Sequence, residues 1–154
     1  MRKLWCVSQA DFEEIMDQNG GSLPENSCAI SIIGTPDVLR DYLEMPDTRH
    51  YFYNMPTVLN LEFDDITKDT VTRHGITAHG ISDDQAKQIV EFLEKAVDEG
   101  LDIYVHCLAG RSRSQAIVRY VLSRWEGPWE LNPYNPNDTP NYYVLGKLRE
   151  NERK

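Results

Sequence analysis

"LDIYVHCLAGRSRSQAIVRYVLSR", residues 101–124, decides the architecture. Residues 101–106 form a short apolar run of the buried-strand type. A loop over 107–112 with Gly110 at its middle follows, and a helix is predicted from about 112 to 124. Just upstream, residues 83–98 carry the clearest helical stripe: Ala86, Ile89, Val90, Leu93, Ala96 and Val97. Ser82 and Gln85 form a capping box before it, Asp83 and Asp84 suit the positive helix start, and Gly100 ends it. Helix, strand, loop and helix in this order predict an α/β fold with a central, mainly parallel sheet flanked by helices. The loop 107–112 then lies at the carboxyl end of a central strand, where open α/β sheets bind ligands.

Other strands are predicted at 4–7 (LWCV), 28–34 (CAISIIG) and 57–63 (TVLNLEF). Ser8 reads as an N-cap with Asp11 three residues on; Phe12, Ile15 and Met16 follow as a stripe, and Gly20-Gly21 stops that helix. Thr35-Pro36 is expected to cap a short helix carrying Val38, Leu39 and Tyr42. Residues 66–81 are polar and read as a loop excursion, while the proline-rich stretch 127–140 reads as a connector. Thr139-Pro140 is expected to cap a last helix with Tyr143, Val144 and Leu148. Tyr134, Tyr142, Tyr143, Trp125 and Trp129 are taken as packing residues.

A length of 154 residues suits one domain over 1–154. The net charge of −9 opposes broad contact with nucleic acid or anionic membrane, so any phosphate site must be local, and neither partner is expected. Cys6, Cys28 and Cys107 are too few for a disulfide framework, and no CxxC pair suggests structural zinc. No apolar run is long enough to span a bilayer, and the basic start "MRK" lacks the apolar core of a secretory signal. A cytoplasmic location is expected.

The loop itself carries chemistry. Backbone N–H groups at a helix start point at an anion, and the helix dipole adds positive potential. Gly110 permits the turn that gathers those groups around one centre, and Arg113 offers a planar fork matched to two phosphate oxygens. The same field favours thiolate at Cys107, giving a nucleophile aimed at phosphorus, with Ser114 placed to hydrogen-bond the sulfur. Cys6 and Cys28 read as core residues.

His106-Cys107, five residues, then Arg113-Ser114 resembles the signature of the cysteine-dependent protein tyrosine phosphatase superfamily, and "HCLAGRSRS" looks most like its compact dual-specificity branch. The likeness extends over about 57–124. It implies a phosphatase fold and a protein phosphatase acting on phosphotyrosine, with phosphoserine and phosphothreonine as further substrates, through a cysteinyl-phosphate intermediate and without cofactor or metal. By the resemblance Cys107 is the nucleophile and Arg113 holds the phosphoryl group. Leu108, Ala109, Gly110, Arg111 and Ser112 supply backbone donors, and His106 orients the loop from below. The resemblance also implies an aspartate acid some thirty to forty residues before the cysteine. "LNLEFDDI" stands there, 42 positions separating Asp65 from Cys107; Asp65 is the first choice, Asp64 the second and Asp69 a distant third.

Other readings compete. A phosphoinositide or RNA 5′-phosphate phosphatase would favour more basic residues than Arg111 and Arg113 supply. A phosphate-binding module without turnover would dispense with cysteine, arginine or acid, and a rhodanese-like sulfurtransferase fits the offsets less well. His74 and His79 read as exposed loop residues. A low-pKa thiolate oxidises readily, and sequence leaves open whether Cys6 or Cys28 reaches it.

Overall fold

The computed structural model describes residues 2–38, 53–108, 112–132 and 140–152. In chain order its elements are β1 (Arg2–Ser8), α1 (Gln9–Gln18), β2 (Ser27–Ile33), β3 (Val58–Glu62), β4 (Thr70–Arg73), β5 (Ile76–His79), α2 (Asp83–Asp98), β6 (Asp102–Cys107), α3 (Arg113–Arg124), β7 (Trp129–Leu131) and α4 (Tyr142–Glu150). Five strands form one sheet in the order β3-β2-β6-β1-β7, and each neighbouring pair is parallel. The expected parallel α/β architecture is therefore present.

Parallel strands covered on both faces lose the polar alternation of half-exposed ones. β2, "SCAISII", is buried at every position for that reason. Strand alternation splits β6 between two cores. Ile103, Val105 and Cys107 join Leu4, Cys6, Ile30 and Ile32 under the apolar stripes of α2, α3 and α4. Tyr104 sits on the other face with Val7, Ala29, Phe12 and Met16, the last two from α1. His106 shares that face, its ring stacked on Phe12 at 4.5 Å between centroids.

The capping predictions hold at two helices. Ser8 Oγ accepts from the Asp11 amide, and Ser82 and Gln85 make the reciprocal box at the start of α2. Elsewhere the structure differs from expectation. Residues 66–81 are not a plain loop, because β4 and β5 form an antiparallel hairpin. Its turn is His74-Gly75, with φ of +52° and +77°. Both turn residues are left-handed, as a tight hairpin needs, but histidine in place of asparagine hides the signal. The connector contains β7, which adds to β1 and is too short for periodicity to reveal. Asn141, not Thr139-Pro140, caps α4: its side chain accepts from the Val144 amide. Residues 36–38 are helical, while Leu39, Tyr42, Tyr134 and Thr139 lie outside the described residues. Trp125, Trp129 and Tyr143 pack against the core as expected, and Tyr142 is exposed.

Candidate active site

Cys107 is the last residue of β6, and its side chain is buried beneath the start of α3. Its Sγ lies 3.1 Å from Ser114 Oγ. Burial alone would push the thiol up. The Arg113 guanidinium, the Ser114 hydroxyl and the backbone N–H groups of Ser114 and Ser112 outweigh it, and the thiol rests below the ordinary cysteine range. A second thiol shares the serine. Cys6, paired in register with Val105 on the adjacent strand, places Sγ 3.1 Å from the same Ser114 Oγ. Burial pushes Cys6 up to about 12, so it stays protonated and donates to Ser114, which leaves the serine proton for Cys107.

Arg113 is buried, although arginine is rarely buried without partners. Its Nη1 donates to the Phe63 carbonyl at 2.7 Å, tying the side chain to the end of β3. Its Nε is buried with no hydrogen-bond partner among the described residues. An unpaired, desolvated guanidinium donor costs free energy unless an anion completes it.

Asp65 follows β3 and reaches the same place. Its Oδ1 accepts from Ser112 Oγ at 2.9 Å and from Asn141 Nδ2 at 2.8 Å. Ser112 immediately precedes Arg113, so the carboxylate stands at the mouth of the loop that begins with Cys107. Asp64 faces the other way and is buried. Its carboxylate accepts from the Thr35 amide at 2.8 Å, from Thr35 Oγ1 at 2.7 Å and from the His79 amide at 2.8 Å. Those bonds occupy it in joining β3 to the chain after β2 and to the hairpin. Asp69 is bonded by the Tyr143 hydroxyl instead.

No family model matches the sequence. The chain is 35% identical over 71 residues to human dual specificity protein phosphatase 16, and 36% identical over 70 residues to human dual specificity protein phosphatase 8. Each match takes in 42% of this chain but only 11% of the relative, so the chain spans about a tenth of the length of these proteins. Over that stretch the chain is similar to dual specificity protein phosphatases, which are cysteine-dependent protein tyrosine phosphatases. Among solved structures, the active form of Tk-PTP aligns with 98% of this chain and 80% of its own at 16% identity, with a TM-score of 0.39, too low to carry an argument.

The remaining predicted site residues fall as follows. Leu108 is partly exposed, and its carbonyl accepts from the Gln9 amide at 3.1 Å, docking the loop onto the start of α1. Ala109, Gly110 and Arg111 lie outside the described residues. His106 is fully buried, with Nε2 2.6 Å from Ser31 Oγ and Nδ1 3.4 Å from the Cys107 carbonyl. Burial, with Arg113 nearby, depresses it to about 4 against the opposing pull of that carbonyl, so the ring is neutral. It sits below the loop on the sheet face opposite the thiol. Cys28 is a plain core residue, its thiol pushed up to about 12 by burial.

Three contributors escaped the sequence reading. Cys6 reads in sequence as a core residue alone. Thr35 holds Asp64 from a site distant in sequence, and Asn141 reaches Asp65 across 76 positions. Only the Asn141 cap had a local signal, an asparagine before the last apolar stripe. Among the described residues no group of three or more His, Cys, Asp or Glu is placed to hold a metal ion, and no helix is long and apolar enough to cross a membrane. His74 lies in the hairpin turn, and His79 bonds Asp64 through its backbone.

Proposed function

We propose that the protein hydrolyses phosphomonoesters on phosphorylated proteins, phosphotyrosine first and phosphoserine or phosphothreonine with it, through a cysteinyl-phosphate intermediate. The observation that carries this reading is the Cys107 thiol held below its ordinary range beside Arg113, whose buried Nε has no partner among the described residues. Arg113 and the backbone N–H groups of 108–112 take the non-bridging phosphate oxygens. The Cys107 thiolate attacks phosphorus, and the bond from phosphorus to the ester oxygen breaks. That oxygen keeps the electron pair and takes the proton of Asp65. Asp65, now ionised, accepts a proton from a water whose oxygen attacks the phosphoenzyme. The S–P bond breaks, its electrons return to sulfur, and inorganic phosphate leaves. The Ser114 hydroxyl hydrogen-bonds the departing thiolate. Asp64 is assigned to holding the acid loop in place, because its oxygens are taken by Thr35 and His79.

The test is turnover of p-nitrophenyl phosphate and of an aryl phosphate with a poorer leaving group, with and without EDTA. Activity should be indifferent to EDTA and lost in Cys107→Ser. Asp65→Ala should lower turnover of the poorer leaving group by about 10²–10⁴-fold, and that of p-nitrophenyl phosphate by less. Activity that survives Cys107→Ser would refute the mechanism. A wild type that turns over neither ester, yet binds vanadate through Arg113, would make the protein a phosphate-binding module.

A further inference from the structure

The hairpin has two unlike faces. The β4–β5 register pairs Val71 with Ala78 and Arg73 with Ile76, so these four side chains share one face; Thr70, Thr72, Thr77 and His79 share the other. The first face does not join either hydrophobic core. Together with Asp65, Ile66 and Val38 it lines a cleft of about 520 Å³, within the range of about 300–1,000 Å³ typical of ligand sites. The cleft has a polarity. Asp65 stands at the stem end, apolar side chains fill the middle, and Arg73 stands beside the turn, which Gly75 and His74 make. Among the described residues the Arg73 side chain has neither an ion pair nor a hydrogen bond, although the protein carries a net charge of −9.

The hairpin and Asp65 form one unit. The Asp64 amide donates to the His79 carbonyl at 2.6 Å, and the His79 amide returns a bond to the Asp64 carboxylate at 2.8 Å. Asn141 Nδ2 bonds both Asp65 and the Ile66 carbonyl. An acid must lie within about 2.6–3.2 Å of the oxygen it protonates. The leaving group therefore departs on the Asp65 side, and its body continues into the cleft that Asp65 lines.

We infer that this cleft recognises the peptide around the phosphorylated residue, and that Arg73 selects an acidic side chain flanking that residue. The inference rests on the phosphatase reading above. Val71, Ile76 and Ala78 cover the apolar part of the intervening chain, and the Arg73 guanidinium pairs with the carboxylate.

The test compares p-nitrophenyl phosphate, which carries no flanking peptide, with phosphotyrosine peptides carrying acidic, neutral or basic residues within three positions of the phosphotyrosine. Arg73→Glu should lower kcat/KM on the acidic peptide about tenfold through KM, and leave p-nitrophenyl phosphate within about twofold. Arg73→Lys should recover most of the loss. Thr72→Glu, which adds one negative charge on the opposite face of the hairpin, should leave the preference among peptides intact. Equal effects of Arg73→Glu and Thr72→Glu would overturn the inference and leave the phosphatase reading standing, as would an unchanged peptide preference. So would an Arg73-dependent activity confined to phosphoinositide vesicles. If wild type turns over no substrate, the phosphatase reading falls and the cleft is decided by peptide binding to Cys107→Ser, followed by fluorescence anisotropy. Loss of acidic-peptide binding on adding Arg73→Glu upholds the cleft, and unchanged binding overturns it.

Discussion

The smallest working unit in this protein is one hydroxyl between two sulfurs. Ser114 Oγ lies 3.1 Å from both Cys6 and Cys107, and the two thiols are pushed in opposite directions. Thiolate, not thiol, is alkylated. Iodoacetamide at mildly acidic pH should therefore label Cys107 alone, read by mass spectrometry, with Cys6 and Cys28 unmodified. Ser114→Ala removes a bond to the thiolate, so the midpoint of the alkylation rate should move to higher pH. Cys6→Ala should move it the same way by less, because it frees the serine to donate elsewhere.

His106 gives a prediction of another kind. Its folded pKa of about 4 lies below the ordinary 6.5, so the folded state resists a proton that the unfolded chain accepts. The stability this confers is complete above about pH 6.5 and is lost as pH falls towards about 4. The full loss is about 3 kcal/mol at 1.36 kcal/mol per pH unit. Urea denaturation between pH 4 and 7 should show this slope, and His106→Gln should flatten it.

At the scale of elements, one helix cap joins the fold to Asp65, the proposed acid. Asn141 Oδ1 caps α4 through Val144, while its Nδ2 holds Asp65. Asn141→Ala should cost about 0.5–2 kcal/mol in denaturant melts for the lost cap. Asn141→Asp keeps a cap acceptor but sets a carboxylate against Asp65. It should stay nearer wild type in stability while turnover of poor leaving groups falls more than that of p-nitrophenyl phosphate. The strands β1, β2, β3 and β6 and helices α1, α2 and α3 were legible because each carries a long apolar pattern or a cap with an unambiguous partner. The meeting of Cys107 with Ser114 was legible because seven positions separate a strand end from the first turn of the next helix. What escaped depended on tertiary pairing. The hairpin strands are four residues each with mixed polarity, and β7 is three residues held by β1. Asp64 and Asp65 look alike in sequence. The contacts of Thr35 and His79 with one, and of Ser112 and Asn141 with the other, separate them.

At the scale of the whole molecule, the sheet order sets a sequence of events. β1 and β2 do not pair with each other; β6 lies between them, and β7 adds to the far edge of β1. Bringing β6 to β1 closes a contact across about a hundred residues, the kind of pairing that slows folding. On the ribosome, the first two strands emerge long before the strand that will join them. Until β6 arrives, each presents an open, largely apolar edge suited to pairing with the wrong chain. Nascent chains stalled with β6 still inside the ribosome should be digested quickly by a dilute protease, and protection should appear only after β6 has emerged. The strand that ends in the reactive thiol is thus the one whose arrival completes the sheet. A half-made chain carries no assembled cysteine site with which to react.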